Sequence, residues 1–272
     1  MNKVGKMLNI ANETKYVKQQ YADDIGLSAR INLHTKHSTN KQSWSDWLWE
    51  QYSISKGCHI LEVGCGTGVH WENNIHKLPE GCKIILSDFS EHMVDVVNKK
   101  FCEYSNVECR QIDIQNILLP DDSFDIVIAN HMLYHIPDID KALSEIKRVL
   151  KPDGVFYSST FGEDNIQRYL HNVYKQFNPD TKAFTINWSF LLNNGEAILS
   201  RHFSNVKRLD YIDSFAITET RDLINWISSS IATNTISDED ISFDGLYEYF
   251  EDIRIKDGAI HIPKEVGMFV SF

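Results

Sequence analysis

Three glycines at alternate positions, Gly64, Gly66 and Gly68, mark a segment where a ligand could approach the backbone closely. An apolar run at 59–63 precedes them, and the residues from about Val69 predict a helix. Glycine carries no side chain, and the free N–H groups at the start of a helix point outwards. The stretch therefore predicts a cofactor-binding turn between a strand and a helix.

The residues around this turn indicate the kind of cofactor. Dinucleotide-binding turns read G-x-G-x-x-G, whereas Val69 stands where the third glycine would be. Glu62 precedes the first glycine, and Asp88 closes the next predicted strand. Because a carboxylate at that position can accept both hydroxyls of a ribose, an adenosine-containing ligand is favoured and a pyrophosphate is not.

Histidines are the candidate general bases, since their ordinary pKa lies near neutrality. His131 and His135 stand four apart after a predicted strand, at the edge of the sheet where ligands bind, and His34 lies in the N-terminal segment. His131 and His135 could instead be packed or capping histidines, and His34 could lie in a solvated N-terminal arm. No third ligand accompanies the pair at matching spacing, so no metal site is predicted.

Composition limits the classes of partner. The chain has 272 residues, 42% of them hydrophobic and 24% charged, with a net charge of −11. Such a charge repels phosphate backbones and anionic membranes, so no nucleic-acid or membrane partner is predicted. The five cysteines form no CxxC pair, and no apolar run reaches membrane-spanning length. A cytoplasmic protein is expected.

Strand and helix patterns alternate along the first part of the chain. The predicted strands are 59–63, 83–87, 107–111, 124–130 and 155–160. Helices are predicted after the N-cap residues Ser43 and Ser90 and over 138–150, with a turn at 151–154. Repeated β–α units imply an α/β fold, an open and mostly parallel sheet with helices on both faces.

The regular alternation of strands and helices ends after residue 160. Strands are predicted at 206–217 and 258–272, and helices at 220–230 and 243–255. We expect a single domain in which 1–45 is an N-terminal cap, 46–160 the cofactor-binding core, 161–200 a lid or substrate insertion and 201–272 the rest of the sheet. Phe184, Trp188 and Phe190 could line an apolar pocket in the insertion, or simply pack.

Four motifs in this order resemble those of the class I S-adenosylmethionine-dependent methyltransferases, of the small-molecule type similar to the ubiquinone and menaquinone biosynthesis enzymes. They are ILEVGCGTG (60–68), ILSDFS (85–90), RQIDIQNILLPDDSFDIVIANHMLYHIPD (110–138) and RVLKPDGVFYSST (148–160). The resemblance implies a doubly wound, Rossmann-like sheet of seven strands whose last strand is antiparallel.

The resemblance also implies a role for each matched residue. Those expected to hold the methionine part of S-adenosyl-L-methionine are Glu62, Gly64, Cys65, Gly66, Thr67 and Gly68. Those expected beside the adenosine are Asp88, Phe89, Met93, Asp113 and Ile114. Asn130 and His131 would lie next to the transferring methyl group. Alternatively, Asp88 caps a helix and Asp113 is a solvated loop acid. Tyr21, Arg30 and His34 are candidates for the acceptor side.

The predicted reaction is in-line transfer of a methyl group to an O, N or C atom of a small metabolite, with a base only if the acceptor must lose a proton early. A non-catalytic module that binds S-adenosylmethionine or S-adenosylhomocysteine is an alternative. An RNA methyltransferase is disfavoured by the charge and by the absence of a [DNS]-P-P-[YFW] motif at 130–133, and a nicotinamide oxidoreductase by the missing third glycine. Residue types do not identify the methyl acceptor or the oligomeric state.

Overall fold

The computed structural model describes residues 24–185, 188–237 and 239–272. The helices are α1 (Asp24–His37), α2 (Trp44–Gln51), α3 (Val69–Glu72), α4 (Glu91–Phe101), α5 (Ile139–Val149), α6 (Ile166–Phe177), α7 (Gly195–Leu199), α8 (Thr220–Ser229) and α9 (Phe243–Asp257). The strands are β1 (His59–Val63), β2 (Lys83–Asp88), β3 (Val107–Gln111), β4 (Phe124–Asn130), β5 (Leu150–Phe161), β6 (Val206–Tyr211), β7 (Ser214–Ile217), β8 (Ile260–Pro263) and β9 (Val266–Ser271).

The chain divides into two compact units. One, here called the sheet unit, comprises residues 42–160, 190–211 and 266–272. The other, here called the helical unit, comprises 24–41, 161–189 and 212–265 among the described residues. The single domain expected from the sequence stays a prediction.

A seven-stranded sheet forms the centre of the sheet unit, in the order β3-β2-β1-β4-β5-β9-β6. The pairs β3–β2, β2–β1, β1–β4 and β4–β5 are parallel, whereas β9 is antiparallel to β6. Residues 126–130 are buried without alternation, as expected of a strand with both faces covered. The predicted doubly wound fold with an antiparallel last strand is confirmed.

Side-chain caps fix where two helices of the sheet unit begin. The Ser43 hydroxyl accepts a hydrogen bond from the N–H of Asp46 at 3.1 Å, and the Ser90 hydroxyl accepts one from the N–H of Met93 at 3.5 Å. Both caps were predicted, because serine satisfies an otherwise unpaired N–H of the first turn. Ser90 sets the start of α4 directly after β2, which places Asp88 between the strand end and the helix start.

The helical unit has its own apolar core and a two-stranded antiparallel sheet, β7–β8. Leu33 of α1, Phe215 of β7, Ile227 of α8 and Phe250 of α9 are at most 1% exposed within this core. Helix α1 was missed from the sequence, where residues 1–45 were expected only to form an N-terminal cap.

Three other predictions are corrected. The strand predicted at 206–217 is broken at 212–213, so that β6 and β7 belong to different sheets, and the strand predicted at 258–272 likewise divides into β8 and β9. The turn predicted at 151–154 lies within β5 as an irregularity, where the β4–β5 register jumps. No helix in the described ranges is long and apolar enough to cross a membrane.

Candidate functional site

The glycine turn after β1 adopts a backbone that other residues rarely take. Gly64, Gly66 and Gly68 have φ values of 68°, 55° and 70°. A Cβ on Gly64 would lie 2.8 Å from Cγ of Met132, and one on Gly68 would lie 2.8 Å from a ring carbon of Phe101. A Cβ on Gly66 would meet no atom within 4 Å. The turn is therefore packed at its two ends and open in the middle, where a ligand could approach.

Glu62 anchors a buried polar network beneath this turn. Its side chain is 1% exposed, and its carboxylate accepts from the indole N–H of Trp71 and, at 3.1 Å, from the amide Nδ2 of Asn130. Its backbone carbonyl accepts from the hydroxyl of Ser87 at 2.7 Å. Each carboxylate oxygen thus has a donor, as a buried charge requires.

Asn130, at the end of β4, is also fully engaged. Its Nδ2 donates to Glu62 and, at 3.0 Å, to the hydroxyl of Tyr52, while its Oδ1 accepts from the hydroxyl of Ser159 at 3.0 Å. We call Glu62, Trp71, Asn130, Tyr52 and Ser159 the Glu62 network. It ties the ends of β1, β4 and β5 to α2 and α3.

Burial controls the protonation of this network. Desolvation raises the pKa of Glu62 from 4.5 to about 7, and the hydrogen bonds from Trp71 and Asn130 oppose that rise. Desolvation and the nearby carboxylate of Glu62 also raise the pKa of the Tyr52 hydroxyl. Tyr52 therefore stays neutral and acts in the network through hydrogen bonds.

Asp88 links the end of β2 to the glycine turn. Its Oδ2 accepts from the N–H of Gly66 at 2.9 Å, and its Oδ1 from the N–H of Ser90 at 2.8 Å. Burial raises the pKa of Asp88, against these backbone hydrogen bonds. The next residue, Phe89, is 49% exposed, whereas Met93 is buried at 4%. A role of Asp88 in capping the start of α4 is thus compatible with its predicted role in binding the ligand.

The loop after β3 offers a donor and an acceptor side by side. The Oδ1 of Asp113 accepts from the N–H of Gln115 at 2.9 Å and from its side-chain amide at 3.4 Å. The other oxygen of Asp113 and the N–H of Ile114 make no hydrogen bond with any residue that the structure describes. We call these two groups the Asp113 edge. An aromatic base with an amino group next to a ring nitrogen matches this pattern.

His131 directly follows β4 in a left-handed conformation, with φ 50°. Its N–H donates to the carbonyl of Ser159 at 3.0 Å, and its ring lies 5.3 Å from that of Trp44. Strained backbone of this kind occurs often at functional sites. His135 ends a short 3₁₀ turn with its ring 4.6 Å from that of Tyr134. The structure places both histidines at the carboxyl end of β4, as predicted.

The acceptor-side candidates of the N-terminal segment belong to the helical unit. The His34 ring keeps contact with solvent and lies edge-on to Phe215 at 5.0 Å. Partial burial against Phe215 and the nearby ammonium of Lys264 lower the pKa of His34 below its ordinary value. Arg30 lies within α1, and Tyr21 lies outside the described residues. Their predicted roles stay predictions.

Aromatic residues of the predicted insertion pack as core residues. Phe184 is 4% exposed in the helical unit, and Phe190 is 0% exposed and edge-on to Phe269 in the sheet unit. Trp188 donates from its indole N–H to Gln167 at 2.8 Å. Simple packing therefore accounts for the two phenylalanines.

The remaining predicted positions also lie at the turn. Cys65 is 7% exposed and donates from its N–H to the carbonyl of Ser87 at 2.8 Å, and burial raises the pKa of its thiol. The carbonyl of Thr67 accepts from the Lys100 ammonium at 3.0 Å. Within the described part of the chain, no group of three metal-ligating side chains occurs.

A comparison with known families decides the class. A family model described as a methyltransferase domain matches residues 54–218, more than half of the chain. The chain belongs to this methyltransferase domain family. The matched range holds the glycine turn, the Glu62 network except for Tyr52, and the Asp113 edge. The prediction of an S-adenosylmethionine-dependent methyltransferase is thereby confirmed at the level of the family.

Individual relatives agree with this assignment. Malonyl-[acyl-carrier protein] O-methyltransferase of Bacillus cytotoxicus is 32% identical over 129 residues, 47% of this chain and 44% of that protein. Demethylmenaquinone methyltransferase of Staphylococcus carnosus is 36% identical over 114 residues, 41% of this chain and 46% of that protein. The methyltransferase domain thus spans about half the length of the curated relatives that it matches.

A solved structure shares the fold. Phosphoethanolamine N-methyltransferase 2 of Haemonchus contortus superimposes with a TM-score of 0.58 at 17% identity, over 94% of this chain and 58% of that one. At this identity the likeness supports the fold of the methyltransferase domain and no more.

Sequence reasoning missed several residues of the site. Trp71, Ser159 and Tyr52 were not among the predicted site residues. Tyr52 and Ser159 enter the Glu62 network through Asn130, which is 78 and 29 residues away from them, whereas Trp71 enters it through Glu62, nine residues away. An acidic residue inside an apolar strand, Glu62, was the one available signal that buried donors had to exist nearby.

Proposed function

We propose that this methyltransferase domain transfers the methyl group of S-adenosylmethionine to an oxygen, nitrogen or carbon atom of a small metabolite. The observation that carries the proposal is the Asp113 edge, a carboxylate oxygen and a backbone N–H that have no hydrogen-bond partner among the described residues. This pair is complementary to the amino group and ring nitrogen of adenine. The open space at Gly66, between Glu62 and Asp88, supports the same ligand.

Each part of the site would hold one part of the cofactor. Asp88, at the end of β2, would accept from the ribose hydroxyls, with the exposed ring of Phe89 beside the adenosine. The backbone of the turn from Gly64 to Gly68 would hold the methionine part. Glu62 and Asn130 would support that turn from below, because their polar atoms are already engaged with each other.

Bound S-adenosylmethionine supplies a methyl group on a positively charged sulfur, from which an acceptor displaces it in line. The residues of this chain mainly align the reactants, and Glu62 in its ionised form provides a favourable field for the positive charge. His131 is the candidate to contact the acceptor and take a proton from it, since its backbone is pinned by Ser159 and its ring contacts Trp44. His135 is a further candidate for this role, and the predicted role of His34, which lies in the helical unit, stays a prediction.

The proposed acceptor is a small molecule, and the protein is proposed to be cytoplasmic. The net charge of −11 disfavours a nucleic-acid partner or an anionic membrane. The names of two relatives, which specify a malonyl group and demethylmenaquinone, support a small reacting group.

Calorimetric titration with S-adenosylmethionine, S-adenosylhomocysteine and NAD tests the cofactor. Binding of the first two ligands and not of NAD is expected. Asp88→Ala should reduce the affinity for S-adenosylhomocysteine by about 100-fold or more, because two hydrogen bonds to a charged group are lost. Asp95→Ala, which removes an exposed carboxylate from α4, is the control and should leave the affinity unchanged. Tight binding of NAD alone would refute the proposal.

Methyl transfer needs its own measurement. Incubation with methyl-labelled cofactor and a metabolite extract should label at least one small-molecule fraction. Cofactor binding with no labelled fraction would favour the alternative of a non-catalytic binding module.

A further inference from the structure

We propose that Arg148 is a positioning residue for the cofactor, which holds the β3–β4 loop (residues 112–123) so that the Asp113 edge faces the adenine. This inference rests on the proposed function, because the Asp113 edge is assigned there to the base. Arg148 lies in the last turn of α5, far in sequence from the glycine turn.

All five N–H groups of the Arg148 guanidinium are engaged. Nε donates to Glu145 Oε1 at 2.9 Å, and Nη2 donates to Glu145 Oε2 at 2.8 Å. The other three bonds go to the loop: Nη1 to the carbonyl of Leu119 at 2.9 Å and to Asp121 at 2.6 Å, and Nη2 to the carbonyl of Ile117 at 2.6 Å. Arginine offers five donors in a fixed planar fork, so this set of bonds specifies one loop conformation.

The partner of Arg148 contacts the same loop. Glu145 Oε2 also accepts from the N–H of Ile117 at 2.7 Å. The two polar groups of the Ile117 backbone are therefore both held by one ion pair. Leu118, the next residue, is 84% exposed, whereas the side chain of Ile117 is buried at 2%. Apolar packing therefore places Ile117, and the ion pair fixes the direction of its backbone groups.

The other end of α5 holds the start of the loop. The N–H of Asp138 donates to Oε1 of Gln115 at 3.1 Å, and the side-chain amide of Gln115 donates to Asp113. Asp138 is also the N-cap of α5, through the N–H of Lys141. Residues at both ends of α5 thus form hydrogen bonds to the loop that carries the Asp113 edge. Arg148, at the C-terminal end, makes the larger number of these bonds.

The C-terminal helix contains a matched pair for comparison. Glu251 and Arg254 of α9 have the same i,i+3 spacing, and Nε and Nη2 of Arg254 both donate to the Glu251 carboxylate. No loop carbonyl accepts from Arg254 among the described residues. Substitution of Arg254 therefore breaks the same type of ion pair without touching a loop at the proposed site.

The test compares two ligands across variants. S-adenosylhomocysteine carries the adenine amino group, and S-inosylhomocysteine carries an oxygen there and a hydrogen on the ring nitrogen. Calorimetry should show that the wild-type protein prefers the adenosyl ligand by at least about tenfold, because the other ligand opposes acceptor to acceptor and donor to donor. Arg148→Met should reduce this preference to less than about threefold. Arg148→Lys keeps the charge but lacks the fork, and should give the same loss.

A second measurement needs no ligand. Hydrogen exchange at the bonded backbone N–H groups of the loop should become at least about tenfold faster in Arg148→Lys, since the loop loses its fixed conformation. These are the N–H groups of Gln115, Asn116, Ile117 and Leu119. Arg254→Met and Arg254→Lys should change neither the ligand preference nor this exchange. The Lys variant serves if Arg148→Met does not fold.

The outcomes separate the two proposals. If the wild-type protein binds neither ligand, the proposed function fails. If it prefers the adenosyl ligand, and Asp113→Asn removes the preference while both Arg148 variants keep it, the positioning role is refuted and the proposed function stands. Equal affinity of the wild-type protein for both ligands overturns the role of the Asp113 edge and with it the role of Arg148.

Discussion

The Glu62 network and the Asp113 edge lie on the same sheet unit but handle their polar atoms in opposite ways. In the network, every polar side-chain atom of Glu62 and Asn130 has a partner within the protein. At the Asp113 edge, an oxygen and an N–H are left without one in the described structure. Buried groups that lose a partner destabilise the fold, whereas open groups are available to a ligand. The Glu62 network should therefore determine the stability of the fold, and the Asp113 edge should determine the recognition of the ligand.

The largest effect is expected in the network. Glu62→Ala leaves the indole of Trp71 and the amide of Asn130 without their acceptor, at a cost of about 1–3 kcal/mol for each buried group. The free energy of unfolding should fall by about 4 kcal/mol. Urea denaturation measures it.

Glu108→Ala is the control for this change, because it removes an exposed partner of Arg110 and should cost less than about 1 kcal/mol. Equal losses for the two variants would mean that the Glu62 network contributes nothing special to the fold.

The protonation of Glu62 gives the next largest effect. The folded protein holds the proton up to about pH 7, whereas the unfolded chain releases it near 4.5. The stabilisation is therefore fully present below pH 4.5 and is lost as the pH rises through 7, by about 3 kcal/mol in total. Urea unfolding at pH 5 to 8 should show the wild-type protein losing stability relative to Glu62→Gln. A difference that does not vary with pH would place the pKa of Glu62 near its ordinary value.

The smallest effect is expected at the Asp113 edge. Asp113→Asn should lower the affinity for S-adenosylhomocysteine by about tenfold, through the loss of one charged hydrogen bond. Its unfolding free energy should change by less than about 0.5 kcal/mol, since the residue is partly exposed and the amide oxygen can still accept from Gln115. Calorimetry tests the predicted affinity, and urea denaturation of the same sample tests the predicted free energy of unfolding. A loss of stability without a loss of affinity would reverse the division between the two regions.

The strands that hold the site were largely predictable. The sequence placed β1, β3 and β4 with the bounds that the structure has, because each is a short apolar or alternating run between turn signals. Asp88 and Asp113 could be located because they follow such strands directly. Local pattern is sufficient where a residue is positioned by its own strand.

Other features depend on partners far away in sequence. In α1, Leu33 is 0% exposed and Ile31 is 44% exposed, so its apolar stripe is too thin to show a period. The run 206–217 looks continuous, yet the chain turns at Asp213, whose carboxylate pairs with Lys264 of a later segment. Arg148 likewise reads as an ordinary basic residue near a helix end. Long-range pairing of this kind cannot be detected in a single sequence.

The strand order of the sheet unit has a consequence for the synthesis of the protein. Strand β9 lies between β5 and β6, although residues 212–265 separate it from β6 along the chain. Strand β6 therefore leaves the ribosome without a neighbour and must wait for the whole of that segment before it can join the sheet. Domains generally fold as units during translation, and the sheet of this one is incomplete until β9 has been made. The interval leaves the free edge of β5 exposed to chaperones in the newly made chain.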